Sequence, residues 1–378
     1  MDKIINRNNV PKLRFGEFNN EWHRYKIKDT LKIKSGRDQK SIIDENGNNP
    51  ILGTGGIIGK TNSFLYDKPS VLIGRKGTIN KPQYMDTPFW TVDTLFYSEI
   101  HKEFLPKFIY YVFQNINWKK YDESTGVPSL TASTIENIKY YIPNLKEQQK
   151  IANFFTLIDK KINLQTQKVE LLKKYKKALL EKIYKEKLKA IKLVNLKELA
   201  HLQGGFAFES KLFTKKGMPI IRISNINENI IDLKDVVYYN AGILIDSKFE
   251  VNKGDMLIAM SGATTGKFGI YNDTKKAYLN QRVGKLILHK KDIIYSYLYF
   301  LFELNSYNIQ LKNRLVAGAQ PNISPSDIEA LKFKIPSINV QKNIIDIYNS
   351  ISKKIRENEN KLKNLKDLKK GLLQKMFI

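Results

Sequence analysis

The chain repeats itself at an offset of 193 residues. Moved by that distance, Ile142-Pro143 falls on Ile335-Pro336 and the match then runs without a gap. Gln148 meets Gln341, Ile151 meets Ile344, Ile158 meets Ile351, and Lys160-Lys161-Ile162 meets Lys353-Lys354-Ile355. Leu172, Leu179-Leu180 and Lys182 meet Leu365, Leu372-Leu373 and Lys375. Solenoid repeats run to about 20–50 residues, so a period this long has another meaning. It calls for two copies of a whole domain, each followed by the same helical segment. A chain with two similar ends suits a target that itself has two parts.

The repeated segment reads as a long helix. Pro143 ends a strand, and Glu147 puts negative charge in the first turn, where the helix dipole favours it. Apolar residues then fall at Ile151, Phe155, Ile158, Ile162, Val169, Leu172, Tyr175, Leu179 and Ile183. The second copy places Ile344, Tyr348, Ile351, Ile355, Leu362, Leu365, Leu368, Leu372 and Met376 in the same way. Steps of three and four are the spacing of a helical seam. About 40 residues at 1.5 Å each make a seam of roughly 60 Å, too long for the flank of one small domain. The two helices are therefore expected to pair with each other. One position breaks the seam in each copy, Gln165 and Asn358. If the helices run antiparallel, these two amides meet at mid-length and fix the register, because a slip would leave both unpaired. The other reading, left open here, is a solvated position at a loose edge.

The segments before each helix match less regularly. Tyr25–Ile33 aligns with Val194–Leu202 at an offset of 169, bringing Lys28 to Lys197, Asp29 to Glu198 and Gly36 to Gly205. Val71-Leu72-Ile73 aligns with Met256-Leu257-Ile258 at 185, each followed by a glycine, Gly77 or Gly262. The drift means that the frames are shared while the loops between them differ. Short β-branched runs at Ser70–Gly74, Pro219–Ile223, Asp255–Ala259 and Gly284–Leu288 suggest strands between turns. The fold class is α+β. Two mixed domains, 1–145 and 191–336, are each followed by a long helix, 146–190 and 337–378, and the helices form an antiparallel coiled coil.

Charge narrows the partner. The formal net charge is +27. It divides as +6 over 1–145, +8 over 146–190, +7 over 191–336 and +6 over 337–378, so it belongs to the whole body and not to a tail. A field of that sign draws polyanions, and DNA uses it through counterion release. On charge alone an anionic membrane would serve equally, and a lysine-rich proteome accounts for part of the excess. The absence of cysteine excludes disulfides, thiolate zinc sites and cysteine catalysis, and it fits a reducing cytoplasm. The start of the chain has no apolar export core, and no run approaches the ~18 apolar residues of a membrane span. A cytoplasmic protein is expected.

Catalytic motifs are weak. Gly-Thr-Gly-Gly-Ile-Ile-Gly-Lys-Thr at 53–61 fails as a P-loop because Thr54 stands where a glycine is needed. It reads better as a glycine loop bringing backbone N–H groups and Lys60 to a DNA phosphate. His23, His101, His201 and His289 have no metal-ligand spacing. Asn49-Pro50-Ile51 reads as a turn and not as the start of an adenine-methyltransferase motif. Asp327, Glu329 and Lys332 read as solvated surface and not as a nuclease cluster. No catalytic, cofactor or metal residue is assigned. The loops that differ between the copies are rich in groups that read DNA: Lys34, Arg37, Gln39, Lys60, Arg75 and Lys76 in the first, and Arg222, Asn225, Ser261, Thr264, Lys267, Gln281 and Arg282 in the second. Arginine suits guanine, and asparagine or glutamine suits adenine, by two-point contact in the major groove. A turn shared by both copies, Val127-Pro128-Ser129-Leu130 and Gln320-Pro321-Asn322-Ile323, adds Ser129, Gln320 and Asn322 as candidate DNA contacts.

With these residues in place, the chain resembles the specificity subunit of a type I restriction-modification system over nearly its whole length. Ile-Pro-Asn-Leu-Lys-Glu-Gln-Gln-Lys-Ile-Ala at 142–152 carries the resemblance, together with Gly-Gly-Phe-Ala-Phe at 204–208 and Pro219–Ile226. The second helix start, Ile335–Lys342, lacks the Glu-Gln-Gln pattern, which leaves open whether both helical faces hold a partner equally. The resemblance implies two target recognition domains, each reading half of a split sequence, with the helices as a ruler between them. It also implies DNA methyltransferase subunits, two of them, that bind S-adenosylmethionine, and restriction/translocase subunits that use ATP and magnesium. This chain would itself bind no cofactor and catalyse nothing. Two rivals are a self-sufficient nuclease or methyltransferase, and a basic coiled-coil adaptor that binds nucleic acid without sequence preference.

Overall fold

The computed structural model describes residues 9–227, 229–240, 245–289, 292–315 and 321–378. The chain forms two compact units, Met1–Lys168 with Asn358–Ile378, and Val169–Glu357. In chain order the first domain contains β1 (His23–Lys26), β2 (Leu31–Ser35), β3 (Asn49–Gly53), β4 (Gly56–Thr61), β5 (Ser70–Gly74), β6 (Gln83–Met85), β7 (Trp90–Thr91), β8 (Leu95–Ile100), α1 (Pro106–Asn115), α2 (Ala132–Asn137) and β9 (Lys139–Ile142). The long helix α3 (Leu145–Glu186) follows. The second domain contains β10 (Leu193–Asn195), β11 (Ala200–Gly204), β12 (Phe213–Thr214), β13 (Met218–Ile221), β14 (Ile226–Asn227), β15 (Asn229–Ile231), β16 (Val237–Tyr239), β17 (Glu250–Val251), β18 (Met256–Ala259), β19 (Phe268–Ile270), β20 (Ala277–Leu279), β21 (Val283–Leu288), α4 (Tyr295–Phe302), α5 (Asn305–Lys312), α6 (Pro325–Glu329) and β22 (Lys332–Lys334), before the second long helix α7 (Ile338–Met376).

Sheet order makes the repeat visible. The first unit has a four-stranded sheet β2-β8-β5-β6, a three-stranded sheet β4-β3-β7 and a pair β1-β9. The second has β11-β21-β18-β19-β15-β14, β12-β16-β13-β20-β17 and the pair β10-β22. The leading four strands of the larger sheets correspond, and the parallel pairing β3-β7 has its match in β13-β20. Asn49-Pro50-Ile51, expected to turn, lies on β3 instead. Proline is tolerated there because the parallel partner engages only Ile51 and Leu52. The strand expected over Pro219–Ile223 ends at Ile221.

Each unit pins its long helix by the same device. Gln148 is buried. Its Oε1 accepts from Leu105 N at 3.0 Å, at the start of α1, and its Nε2 donates to Pro143 O at 3.0 Å. Gln341 repeats this with Ile294 N at 2.9 Å, before α4, and with Pro336 O at 2.8 Å, and it adds a bond to Asp292 O. Helix starts leave backbone N–H groups unpaired, and a side-chain amide from the neighbouring helix satisfies one of them. This explains why glutamine recurs across the repeat.

Within each unit the segments of α3 and α7 run antiparallel. In the first, Phe155 packs on Phe377 with ring centroids 5.9 Å apart, Asp159 pairs with Lys369 at 2.6 Å, and Gln165 Nε2 donates to Asn358 Oδ1 at 3.1 Å and to Asn358 O at 2.9 Å. Asn358 is 4% exposed, so the amide contact lies in the seam and not at a wet edge. In the second unit Lys176 lies 4.1 Å from the Tyr348 ring, and Leu180, Ile183 and Tyr184 share a core with Ile344 and Ile345. Two expected seam residues, Tyr175 and Leu368, are exposed. The apolar stripe is wider than the line of burial, because a helix turning every 3.6 residues drifts from a repeat averaging 3.5.

Glu147 has a use that its dipole position does not reveal. It is fully buried, accepts from Arg14 at 2.7 Å and from Trp22 Nε1 at 3.2 Å, and so ties the N-terminal segment to the start of α3. The second copy has Val340 at this place. This tie is therefore not repeated at the second helix start.

Candidate nucleic-acid interface

Four loops in each unit, one of them joining β7 to β8 or β20 to β21, are laced together by matching backbone hydrogen bonds. The loop after β2 is held by Arg37 N donating to Thr91 O at 2.9 Å; after β11, Phe206 N donates to Leu279 O at 2.8 Å. The loop after β5 is held by Arg75 N to Thr94 O at 2.8 Å; after β18, Met260 N donates to Arg282 O at 2.9 Å. The proline turn joins through Gly77 N to Pro128 O at 2.8 Å and Leu130 N to Arg75 O at 2.9 Å; its counterparts are Gly262 N to Pro321 O at 3.0 Å and Ile323 N to Met260 O at 2.9 Å. Single bridges Lys76–Ser129 and Ser261–Asn322 complete the pattern.

The glycines are there for space and angle. A side chain at Gly36 would put its Cβ 2.0 Å from Val92 O, and one at Gly205 would put it 2.1 Å from Asn280 O. Gly77 and Gly262 have φ of +83° and +77°, which L side chains rarely adopt. Glu136 accepts from Ile33 N at 3.0 Å and Glu329 from Leu202 N at 2.8 Å. Glu329, expected on the solvated surface, is thus a brace between α6 and β11. Asp327 belongs to the capping box of α6 with Ser324.

The side chains on this common frame differ. The first unit presents Arg37, Arg75 and Lys76, all exposed, with Ser129 half-buried beside them. Asp122 anchors the proline turn by accepting from Ser129 N at 2.9 Å and from Ser124. These bonds, the one from Ser129 first, hold its carboxyl below the usual carboxylate range. The second unit has Phe206, Met260 and Ser261 at the equivalent positions, with exposed Gln281, Arg282 and Asn322 nearby. The Ser261 hydroxyl is buried and has no hydrogen-bond partner among the described residues.

The family model described as type I restriction modification DNA specificity domain matches residues 19–174 and again 189–367. The chain belongs to this family. Among specificity-family relatives, the specificity subunit of the type I restriction enzyme MjaVIII from Methanocaldococcus jannaschii is 25% identical over 405 aligned positions, covering 93% of this chain and 91% of that one. The type I restriction-modification S subunit from M. genitalium has a crystal structure similar to this fold, with TM-score 0.61 and 18% identity over 98% of this chain and 99% of that one. A chain from a study of complex assembly and conformational transition of the type I R-M system has TM-score 0.52 and 12% identity over 94% of this chain and 97% of its own. Two specificity domains in tandem account for the repeat.

Not every residue expected to read DNA in this specificity-family chain lies on the four-loop frame. Arg37, Arg75, Lys76 and Ser129 come together in the first unit, and Ser261, Gln281, Arg282 and Asn322 in the second. Lys34 sits on β2, ion-paired with Glu99 at 3.5 Å, and Gln39 lies further along the loop after β2. Lys60 is on β4, since the glycine-rich stretch is a tight hairpin and not an open phosphate loop. Asn225 is 2% exposed and both ends of its amide are used, by Arg222 N and Asp232 O; it closes a turn and presents nothing to a base. Arg222 donates to Asp235 O, Thr264 donates to Ile223 O at 3.0 Å, and Lys267 precedes β19. Gln320 lies outside the described residues. His201 and His289 stack at 6.2 Å, but among the described residues no group of three or more His, Cys, Asp or Glu is placed to hold a metal. No helix of the described residues is long and apolar enough to cross a membrane.

Proposed function

We propose that this chain is the DNA-reading, non-catalytic subunit of a type I restriction-modification assembly, each unit reading one half of a split target. The observation that carries this is the four-loop frame, built twice with the same backbone bonds and carrying different side chains. Arg37, Arg75 and Lys76 face one half-site and Gln281, Arg282 and Asn322 the other. Cationic side chains neutralise phosphate and bind guanine edges, and amides bind adenine edges. α3 and α7 contribute to both units, and their length sets the spacer between the half-sites.

The assembly places the chemistry elsewhere. Two methyltransferase subunits carry S-adenosylmethionine, and restriction subunits use ATP and magnesium in the cytoplasm. The helices offer them exposed apolar side chains: Leu157, Leu164 and Leu171 at 54–65% exposure on α3, and Leu368 on α7. Exposed apolar surface of this kind marks a contact face. A basic adaptor without sequence preference would have no need for different side chains on equal frames.

The test is to co-express the chain with the methyltransferase subunit of its own system and map methylated adenines across the genome. A split motif with one methylated adenine in each half, on opposite strands, is expected. A stable complex that adds no methylation overturns the reading.

A further inference from the structure

The first unit has an apolar feature beside its cationic loops. The β3–β4 hairpin turns through Thr54-Gly55 and carries Ile57 and Ile58, which are 68% and 58% exposed. Consecutive strand residues normally face opposite ways. Here the register shifts between Ile51 and Leu52, leaving Ile58 as the extra residue of a bulge, and a bulge re-aims side chains. The tip belongs to the same end as the four loops. A Cβ at Gly77 would lie 3.9 Å from Thr54 Oγ1, and the Ile58 side chain lies over Gly53 next to Val92, within the loop that precedes β8. Gln83 Nε2 donates to Gly53 O at 2.8 Å and braces the turn.

Folding alone does not call for two exposed isoleucines on a hairpin. Their hairpin carries Lys60 on β4, and its tip lies beside the loop that bears Arg75 and Lys76, where a polyanion is drawn in. The major groove of B-DNA admits a two-stranded β-ribbon, and its one apolar mark is the 5-methyl group of thymine. We propose that the β3–β4 hairpin enters the major groove of the half-site read by the first unit, and that Ile57 and Ile58 recognise thymine there through its methyl group. This rests on the DNA-reading function proposed above. The contact adds discrimination without charge, so it leaves the salt dependence of binding unchanged.

The test uses the full chain with its methyltransferase partner and a random-sequence duplex library. If the wild-type complex enriches no split motif, the DNA-reading function fails, and the hairpin reading falls with it. If a motif emerges, the half-site of the first unit is expected to contain an A·T pair. Replacing that thymine by deoxyuridine removes only the methyl group. The wild type should lose about fourfold in affinity per methyl lost, and Ile57→Ser/Ile58→Ser should not respond to the replacement. The variant should bind the thymine duplex about tenfold more weakly, with an unchanged slope of log affinity against log salt. Ile57→Ser alone, at the more exposed position, guards against misfolding and should show part of the effect. Equal sensitivity of wild type and variant to deoxyuridine overturns the proposal, as does a half-site of G·C pairs only. Loss of affinity with unstacking of a 2-aminopurine reporter but no uracil effect also overturns it, and would mark the hairpin as a minor-groove wedge instead.

Discussion

The backbone position that carries Arg37 in the first unit carries Phe206 in the second; Arg75 is matched by Met260, and Lys76 by Ser261. Around these changes the hydrogen bonds between loops agree to within a few tenths of an ångström. The frame is therefore independent of the side chains it displays. Its bonds are made by main-chain atoms, and the geometry demands glycine at positions such as 36, 77, 205 and 262. Such a surface can change what it reads without losing its fold. The first unit is built as a cationic patch with a hairpin beside it, the second as a more neutral patch with amides.

The comparison breaks most completely if the units are not separable. Replacing residues 1–145 by another recognition domain should change one half of the methylated motif and leave the other intact. A change in both halves, or in neither, would refute separate reading. Next in size is the charge difference. Arg37→Gln/Arg75→Gln/Lys76→Gln should reduce the slope of log affinity against log salt by about 2.7, at roughly 0.9 per phosphate contact, measured by titration on duplex DNA. Substituting Gln281 and Asn322 by alanine should alter base preference at one half-site and leave that slope nearly unchanged.

Stability tests sharpen the same contrast. Arg14→Ala leaves the buried Glu147 carboxylate without its cation and should destabilise the first unit by about 3 kcal/mol, read by denaturant unfolding, with no effect on the second. Gln148→Ala and Gln341→Ala remove the matching pair of bonds from each unit, and the second also loses the bond to Asp292 O; each should cost about 2 kcal/mol. A large inequality between them would mean that the shared anchor is not shared in energy. The smallest effect concerns pH. Hydrogen bonds to the ionised Asp122 carboxylate depress its pKa. Their stabilisation is therefore complete above the unfolded-state value near 4 and is lost as pH falls through the folded one. The Ser129 amide resonance should shift below about pH 4, and Asp122→Asn should abolish that acid step.

Much of this architecture was readable in advance because it depends on local or repeated pattern. The steps of three and four predicted α3 and α7, and the offset of 193 paired Gln165 with Asn358, whose amides are hydrogen bonded. The run Ser70–Gly74 is β5 residue for residue. Reading the side chains was less successful. Asn225 has the composition of a base reader and is consumed by its own turn, while Lys60 left the glycine loop for a strand. Gln148 and Gln341 stood in the repeat, but their task needed the helix starts at Leu105 and Ile294 to be brought beside them. Ile57 and Ile58 were read only as part of a glycine loop, and their place on a hairpin strand, exposed among the described residues, came from the fold.

By itself, then, the sequence determined the duplicated layout, the two long helices and the basic character, since helix periodicity, charge and repetition are properties of neighbouring residues or of a constant offset. Tertiary structure alone decided which side chains share a surface. Arg37 lies beside Thr91, and Gly77 beside Pro128, through backbone bonds that close loops of about fifty residues. Such bonds join main-chain atoms that every residue type but proline can supply, and so they leave almost no trace in the identity of the residues they bring together.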